Sequence, residues 1–400
     1  MTRTRWRAEA LLAVLFVIVI TVGSGGALWL FSAVPVHPDP AAVPSTPGAH
    51  VERYSSAIEE GRRLARALVV DENLPGLSVA VAADGEIVWA ESFGWANIVG
   101  REPVTPRTRF RLGAASKPLT AAAVALLQDR GRLDFDAPVQ TYVPDYPQKQ
   151  WPVTPRQLMS DVAGVHRIRG DNNDAMPIER CANLGEALPL FADEPLMFRP
   201  GAEHRYSIYG WILLSVLVER VAREPFPAFM TRELFGPLGM TSTVLEEAGG
   251  VPNNTTTFYS RRKAGRVGPI DPSKAHYSCL AGAGAFLSTP SDLARFGSAM
   301  LKPGFLKGET IATMQAPLQL ESGKSTNYAL GWRAESVPLA GTPARLVGHR
   351  GTPMGGAVSL LTFPDLGVVV AAASNVGARG VDPFAQQLAG VFVVRRRGVR

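Results

Sequence analysis

The sequence has few of the residues that bind metal ions or nucleotide cofactors. Its 400 residues include only 2 cysteines, too few for a zinc cluster, and 6 histidines. No two histidines share an H-x-H or H-x-x-x-H spacing; they are His37, His50, His166, His204, His276 and His349. The glycine pair Gly282 and Gly284 fails the dinucleotide pattern, because Leu287 stands where a third glycine is required. We therefore expect no metal site and no cofactor.

The body of the chain also lacks net charge. The formal charge of +6 at pH 7 comes from the two ends, with +2 in residues 1–9 and +4 in residues 395–400. A nucleic-acid-binding protein carries a basic patch on its folded domain. Because residues 10–394 are neutral overall, we expect no nucleic-acid partner, and we interpret residues 395–400 as a solvated basic tail.

One long segment has no charged residue at all. Residues 10–31 are long enough to cross a bilayer, which takes roughly 20 residues, and three arginines precede them. This order favours a cytoplasmic N-terminus and an exported body. We therefore expect residues 1–31 to anchor an extracytoplasmic domain, periplasmic or at the cell surface. Small residues at 23–27 leave open a cleaved signal peptide and a secreted protein, although no clean A-x-A motif follows them.

The segment after the apolar run is rich in proline. Five prolines between residues 32 and 50 predict an extended spacer, and the folded domain is expected over residues 51–394. Cys181 and Cys279 could pair if the domain is exported, since an oxidising compartment favours disulfides. Two separate buried thiols are the alternative.

Hydrophobic periodicity predicts an α+β fold. Two β-rich runs flank an Asp84-Gly85 turn, which is typical of a hairpin. The predicted helices are 51–70, 120–130, 211–221 and 383–394, and the predicted strands are 76–83, 86–93, 328–332, 345–347, 357–363 and 367–373. Strands at both ends of the chain indicate an antiparallel sheet flanked by terminal helices, with an all-helical region at about 134–269 beside it. The cleft between the two parts is the expected site.

One absence lies inside a recognisable motif. In an S-x-x-K site a serine nucleophile lies one helical turn before a lysine. Lys117 opens a predicted helix, but Ala114 occupies the serine position. Ser116 is a poor substitute, because two helical residues place it about 200 degrees around the axis from Ala114.

These features belong to a larger pattern. The chain resembles the beta-lactamase-related serine hydrolases, a group that includes class C beta-lactamases, D,D-peptidases, related esterases and the mitochondrial beta-lactamase-like protease. The similarity runs from about residue 57 to the C-terminal helix. The stretches that carry it are residues 74–81, 110–120, 154–160, 199–201, 206–210, 281–284 with 288–293, and 348–351. The resemblance implies a beta-lactamase/transpeptidase-like fold.

The resemblance also implies catalytic roles. Lys117 would act as a base toward the serine or keep a tyrosine deprotonated, and Tyr206 would pass a proton between nucleophile and leaving group. Tyr206 as a boundary aromatic of the next helix is the structural alternative. The family has asparagine two residues after this tyrosine, but here Ile208 cannot hydrogen-bond a substrate amide.

The third family motif corresponds to His349, Arg350 and Gly351. His349 would orient charge near the tyrosine, although a lone histidine is often structural. Backbone N–H groups around Gly351 and Thr352 and at Ala114 would form the oxyanion hole, and they do not depend on a serine side chain. Arg350 could bind a substrate carboxylate or face solvent.

Two functions remain open at this point. The first is a membrane-anchored serine hydrolase acting on acyl, ester or D-amino-acid peptide bonds, with Ala114 at the nucleophile position. The second is a catalytically inactive relative that binds a peptide or acyl ligand. In either case the chain as it stands is predicted not to form an acyl-enzyme with a small-molecule or peptide substrate. The oligomeric state remains open.

Overall fold

The structure is a computed structural model that describes residues 35–167, 181–246, 251–262, 266–271 and 277–398. The expected anchor, residues 1–31, lies outside the described residues. Within the described ranges, no helix is long and apolar enough to cross a membrane.

The main sheet is antiparallel and joins strands from both ends of the chain. In chain order the strands are β1 (Ser45–His50), β2 (Gly76–Ala83), β3 (Glu86–Asn97), β4 (Glu102–Pro103), β5 (Phe110–Arg111), β6 (Val244–Leu245), β7 (Tyr259–Arg261), β8 (Val267–Pro269), β9 (Phe286–Ser288), β10 (Arg333–Leu339), β11 (Thr342–Gly351), β12 (Ala357–Phe363) and β13 (Val368–Ser374). The order across the main sheet is β1-β3-β2-β13-β12-β11-β10, and β4 pairs with β3. The predicted hairpin is confirmed: Asp84 and Gly85 both have positive φ, as a type I′ turn between β2 and β3 requires.

Helices cover both faces of this sheet. In chain order they are α1 (Ser55–Asp71), α2 (Lys117–Asp129), α3 (Pro155–Met159), α4 (Ile208–Ala222), α5 (Phe226–Phe229), α6 (Pro290–Ala299), α7 (Gly308–Gln315) and α8 (Val381–Gly398). The terminal helices α1 and α8 pack against each other, and α6 packs on β2 and β13. Every residue of β2 and β13 is buried, which explains their continuous apolar sequences. The predicted α+β class, with terminal helices flanking an antiparallel sheet, is confirmed.

The predicted spacer needs correction. Residues 45–50 form β1, which pairs with β3 at the edge of the sheet, and the His37 side chain is buried. Pro47 fits this strand because an edge strand has one side without ladder hydrogen bonds. The folded domain therefore begins before residue 51.

The predicted strand at 328–332 is also wrong. These residues form a bend, with a single bridge between Tyr328 and Arg333. Gly331 has a φ of 82°, and a Cβ built there would lie 2.8 Å from the Trp211 side chain and 2.9 Å from that of Ala121. The chain turns here because it passes directly over α2 and α4. The first strand of this part of the sheet is β10.

The helical region packs beside the sheet. Helix α2 is buried along nearly its whole length and contacts α4, so its alanine-rich sequence serves close packing. The region at about 134–269, predicted as all-helical, is mostly helix and loop where it is described but also contains short strands: β6 pairs with β9, and β7 pairs with β8. Cys181 and Cys279 form a disulfide with a Cα–Cα distance of 4.9 Å.

Candidate active site

A cavity of about 630 Å³ lies between β11 and the helical region. Of the predicted site residues, Ala114, Tyr206, His349, Arg350 and Thr352 line it. Lys117 is fully buried behind its wall. Gly351 lies where β11 crosses the turn before α2, and a Cβ there would lie 1.8 Å from the Leu112 carbonyl oxygen. The fold therefore places nearly all of the predicted site residues in or beside one cleft.

The turn before α2 presents Ala114 to the cleft. Gly113 has a φ of 52°, and residues Gly113–Ser116 form a 3-10 turn that leads into the helix. Ala114 therefore offers a methyl group where the motif has a hydroxyl. The Ser116 side chain is fully buried, and its Oγ has no hydrogen-bond partner in the described part of the chain. This burial supports the structural interpretation of Ser116.

Lys117 forms an ion pair with a residue that the sequence reasoning missed. Its Nζ lies 3.3 Å from Oδ2 of Asp161, and the two side chains are 0% and 1% exposed. Oδ1 of Asp161 accepts hydrogen bonds from Trp211 Nε1 at 3.0 Å and from the Ser207 N–H at 3.3 Å. Burial raises the pKa of Asp161, while the Lys117 charge and these hydrogen bonds act in the opposite direction. The available signal was a charged residue directly after the family-like stretch at 154–160.

Tyr206 meets the lysine through its ring. The Lys117 Nζ lies 3.5 Å from the ring centroid of Tyr206, which is cation–π geometry. The Arg167 guanidinium lies 5.6 Å from the same centroid. Tyr206 directly precedes Ser207, whose hydroxyl caps α4 by accepting from the Gly210 N–H. The helix start thus fixes Tyr206 at the cleft beside Ile208.

His349 is a neutral hydrogen-bonding residue. Its Nδ1 lies 2.8 Å from the Arg350 carbonyl oxygen, so Nδ1 carries the proton and donates. Its Nε2 therefore accepts from the Tyr328 hydroxyl at 3.0 Å. Burial, together with the Lys117 charge, lowers the pKa of His349 to about 3. His349 is thus hydrogen-bonded to Tyr328, another residue that the sequence reasoning missed.

Comparison with known proteins gives this geometry a family. A family model described as Beta-lactamase matches residues 62–390. The chain belongs to the beta-lactamase family. It is 28% identical over 449 residues to the serine beta-lactamase-like protein LACTB, mitochondrial, of Homo sapiens, an alignment that covers 86% of this chain and 82% of the relative.

Solved structures show the same beta-lactamase/transpeptidase-like fold. The octameric penicillin-binding protein homologue from Pyrococcus abyssi aligns with a TM-score of 0.71 at 22% identity, over 84% of this chain and 77% of that one. EstCE1, a hydrolase with promiscuous acyltransferase activity, aligns with a TM-score of 0.73 at 21% identity, over 85% of this chain and 99% of that one.

A buried arginine supports one wall of this beta-lactamase-family cleft. Arg111 forms two hydrogen bonds with the Glu246 carboxylate, at 2.8 and 2.6 Å, and lies between the rings of Phe258 and Tyr277 at 4.0 and 4.4 Å. It donates to the Met354 carbonyl at 3.3 Å, and the Tyr277 hydroxyl accepts from the Met354 N–H at 2.7 Å. The cluster therefore holds the loop at residues 352–354 in place against the turn before α2, where a Cβ at Gly113 would lie 2.9 Å from Pro353 Cδ.

The remaining cations of the cleft lie at its rim. Arg333 pairs with Glu335 at 3.0 Å and with Asp382 at 3.1 Å. Arg350 is 64% exposed, and its nearest carboxylate oxygen is 3.9 Å away on Asp382. Carboxylate binding by Arg350 stays a prediction. Within the described ranges, no group of three or more His, Cys, Asp or Glu residues is placed to hold a metal ion.

Proposed function

We propose that this chain is an exported, membrane-anchored member of the beta-lactamase family whose cleft binds an acyl or peptide ligand without forming an acyl-enzyme. The observation that carries the proposal is Ala114, which lines an open cleft of about 630 Å³ at the nucleophile position. Loss of the nucleophile from such a site costs on the order of a million-fold in rate.

The cleft retains what a ligand would contact. The turn at Ala114 and the loop at residues 352–354 both line the cavity. Because backbone N–H groups do not depend on a serine, a ligand carbonyl could still be bound between them. The relatives and neighbours bear names that refer to penicillin binding, beta-lactamase-like proteins and acyl transfer. This common carbonyl chemistry supports an acyl or peptide ligand here.

Hydrolysis of acyl, ester or D-amino-acid peptide bonds is the second candidate. It is favoured by the retained Lys117, Tyr206 and His349, and it requires an oxygen nucleophile that position 114 does not supply.

Export is supported by two features. Residues 10–31 carry no charge and follow three arginines. The disulfide between Cys181 and Cys279 fits an oxidising compartment.

The test measures covalent and non-covalent binding on the same protein. The unmodified chain, treated with a fluorophosphonate or benzylpenicillin, should gain no mass in intact-protein mass spectrometry, because it lacks the attacking oxygen. Titration calorimetry with benzylpenicillin or a D-amino-acid amide should still detect reversible binding. Ala114→Leu, which fills the cavity at the same position, should abolish that heat. A covalent adduct on the unmodified chain would favour hydrolysis, and an absence of binding to both ligands would refute the proposal.

A further inference from the structure

Lys117 occupies the lysine position of the S-x-x-K motif, but its side chain pairs with Asp161 instead of a serine. Its Nζ is paired with Asp161 at 3.3 Å, and neither side chain is more than 1% exposed. Within the described ranges, Asp161 is the one carboxylate at ion-pair distance from this lysine. The contact is therefore an ion pair of the protein interior, not a pair of surface charges.

We propose that Asp161 is a positioning residue that holds Lys117 as a buried ammonium, so that the site is disabled twice: once by Ala114 and once by this ion pair. The inference rests on the proposed function and deepens it. It implies that restoring a serine at position 114 restores a nucleophile without restoring its base.

The role of Lys117 depends on whether its side-chain nitrogen has a free lone pair. A base must have a free lone pair, and an ammonium has none, so Lys117 can activate a hydroxyl only as the neutral amine. Burial alone favours the neutral amine, because a buried cation is poorly solvated. A carboxylate at contact distance reverses that preference, because it supplies the missing counter-charge.

The neighbours of Asp161 hold its carboxylate in the orientation that pairs with Lys117. Its Oδ1 is held by the Trp211 Nε1 and the Ser207 N–H, which leaves Oδ2 directed at Lys117. The other groups around the lysine supply no negative charge. The Tyr206 and Trp211 rings face its Nζ at 3.5 and 5.2 Å. His204 and His349 lie near enough for the lysine charge to act on them, and burial lowers the pKa of both.

Fluorophosphonate labelling reports the step that the ion pair would block. The introduced serine oxygen forms a bond to phosphorus, and fluoride leaves with the electron pair of the P–F bond. The serine proton passes to a base, and the proposal concerns the first of the two roles stated for Lys117, in which its neutral amine takes that proton directly. Labelling rate therefore measures how much neutral amine is present.

Three variants separate the effect of the missing serine from the effect of the ion pair: Ala114→Ser, Ala114→Ser/Asp161→Asn and Ala114→Ser/Asp292→Asn. Asp292 is the matched control, since it is buried, accepts from the Ser242 N–H and the Thr243 hydroxyl at 2.8 and 2.9 Å, and lies outside the cleft lining. At pH 7 we expect the Asp161→Asn double variant to label on the order of 100-fold faster than Ala114→Ser, the lower range of general-base contributions. The Asp292→Asn double variant should label no faster than Ala114→Ser.

The pH profile distinguishes positioning from a structural role. Labelling of Ala114→Ser should rise toward alkaline pH, and in the Ala114→Ser/Asp161→Asn double variant that rise should come at lower pH, because the counter-charge at 3.3 Å is gone. Circular dichroism and thermal melting check that each variant is folded. If the double variant does not fold, the profile of Ala114→Ser alone decides the question: a rate that is already maximal at pH 7 overturns the inference.

A double variant that folds, labels no faster and keeps the same pH profile would also overturn it. These outcomes are independent of the proposed function, which is tested by reversible binding to the unmodified chain.

Discussion

At the scale of single residues, His349 lines the cleft as predicted, but its hydrogen bonds differ from the predicted role. His349 donates from Nδ1 to a backbone carbonyl and accepts at Nε2 from Tyr328, so it is built to stay neutral. Its imidazole therefore orders a buried tyrosine rather than supplying a cation to Tyr206.

A pH dependence of stability follows from the neutral His349. Its pKa is about 3 in the folded protein against an ordinary value of 6.5, so between these values the unfolded chain binds more protons. The free energy of unfolding should therefore fall as pH drops from 6.5 toward 3, with a contribution from this residue of up to about 1.4 kcal/mol per pH unit. His349→Gln should flatten that slope in urea titrations at several pH values. The exposed His50→Gln is the control, and equal slopes in all three proteins would contradict the prediction.

At the scale of elements, the cleft depends on how β5 is tied to the loop at residues 352–354. Arg111 ends β5 and joins Glu246, two aromatic rings and the Met354 carbonyl. This cluster positions one wall of the cleft, which Tyr277 and Met354 line.

Arg111→Lys tests that support. Lysine keeps the charge but cannot form the two parallel hydrogen bonds or stack between the rings. We expect a loss of about 3 kcal/mol in the free energy of unfolding, as for a broken buried pair, together with weaker benzylpenicillin binding. Arg156→Lys is the matched control, because Arg156 makes the same two-bond contact with Asp136 but on the surface. It should cost less than about 1 kcal/mol in urea unfolding. Equal losses in both variants would argue against the cluster's role.

The elements also show how far sequence alone could lead. Residues 76–83 and 357–363 were predicted with the observed bounds, because a turn pair or an unbroken β-rich run marks their ends. The bend at Gly331 escaped prediction because its cause is the approach of α2 and α4 from distant parts of the chain. The site shows the same limit. Residues within a local motif could be predicted from the sequence, whereas Asp161 and Glu246 pair with partners 44 and 135 residues away, which no local pattern reveals.

At the scale of the whole molecule, one covalent bond closes a long loop through the helical region. Cys181 and Cys279 are 98 residues apart, and closing a loop of this length stabilises a protein by roughly 4 kcal/mol through the entropy of the unfolded chain. Dithiothreitol should therefore lower the urea midpoint of the native protein. A Cys181→Ser/Cys279→Ser variant should start at the lower midpoint and should not respond to the reductant. A native midpoint that dithiothreitol leaves unchanged would contradict the prediction.

The order of the main sheet also governs when the protein can fold. Strand β2 lies between β3 and β13, so one of its two neighbours is made almost 300 residues after it, and the Gly76 N–H donates to the Asn375 side chain at the same seam. Contacts so distant in sequence form late and slowly, because a long loop must close first. A chain still emerging from the ribosome holds its first hairpin without this partner until Val368 has been added. The domain thus remains without a complete sheet throughout most of its synthesis.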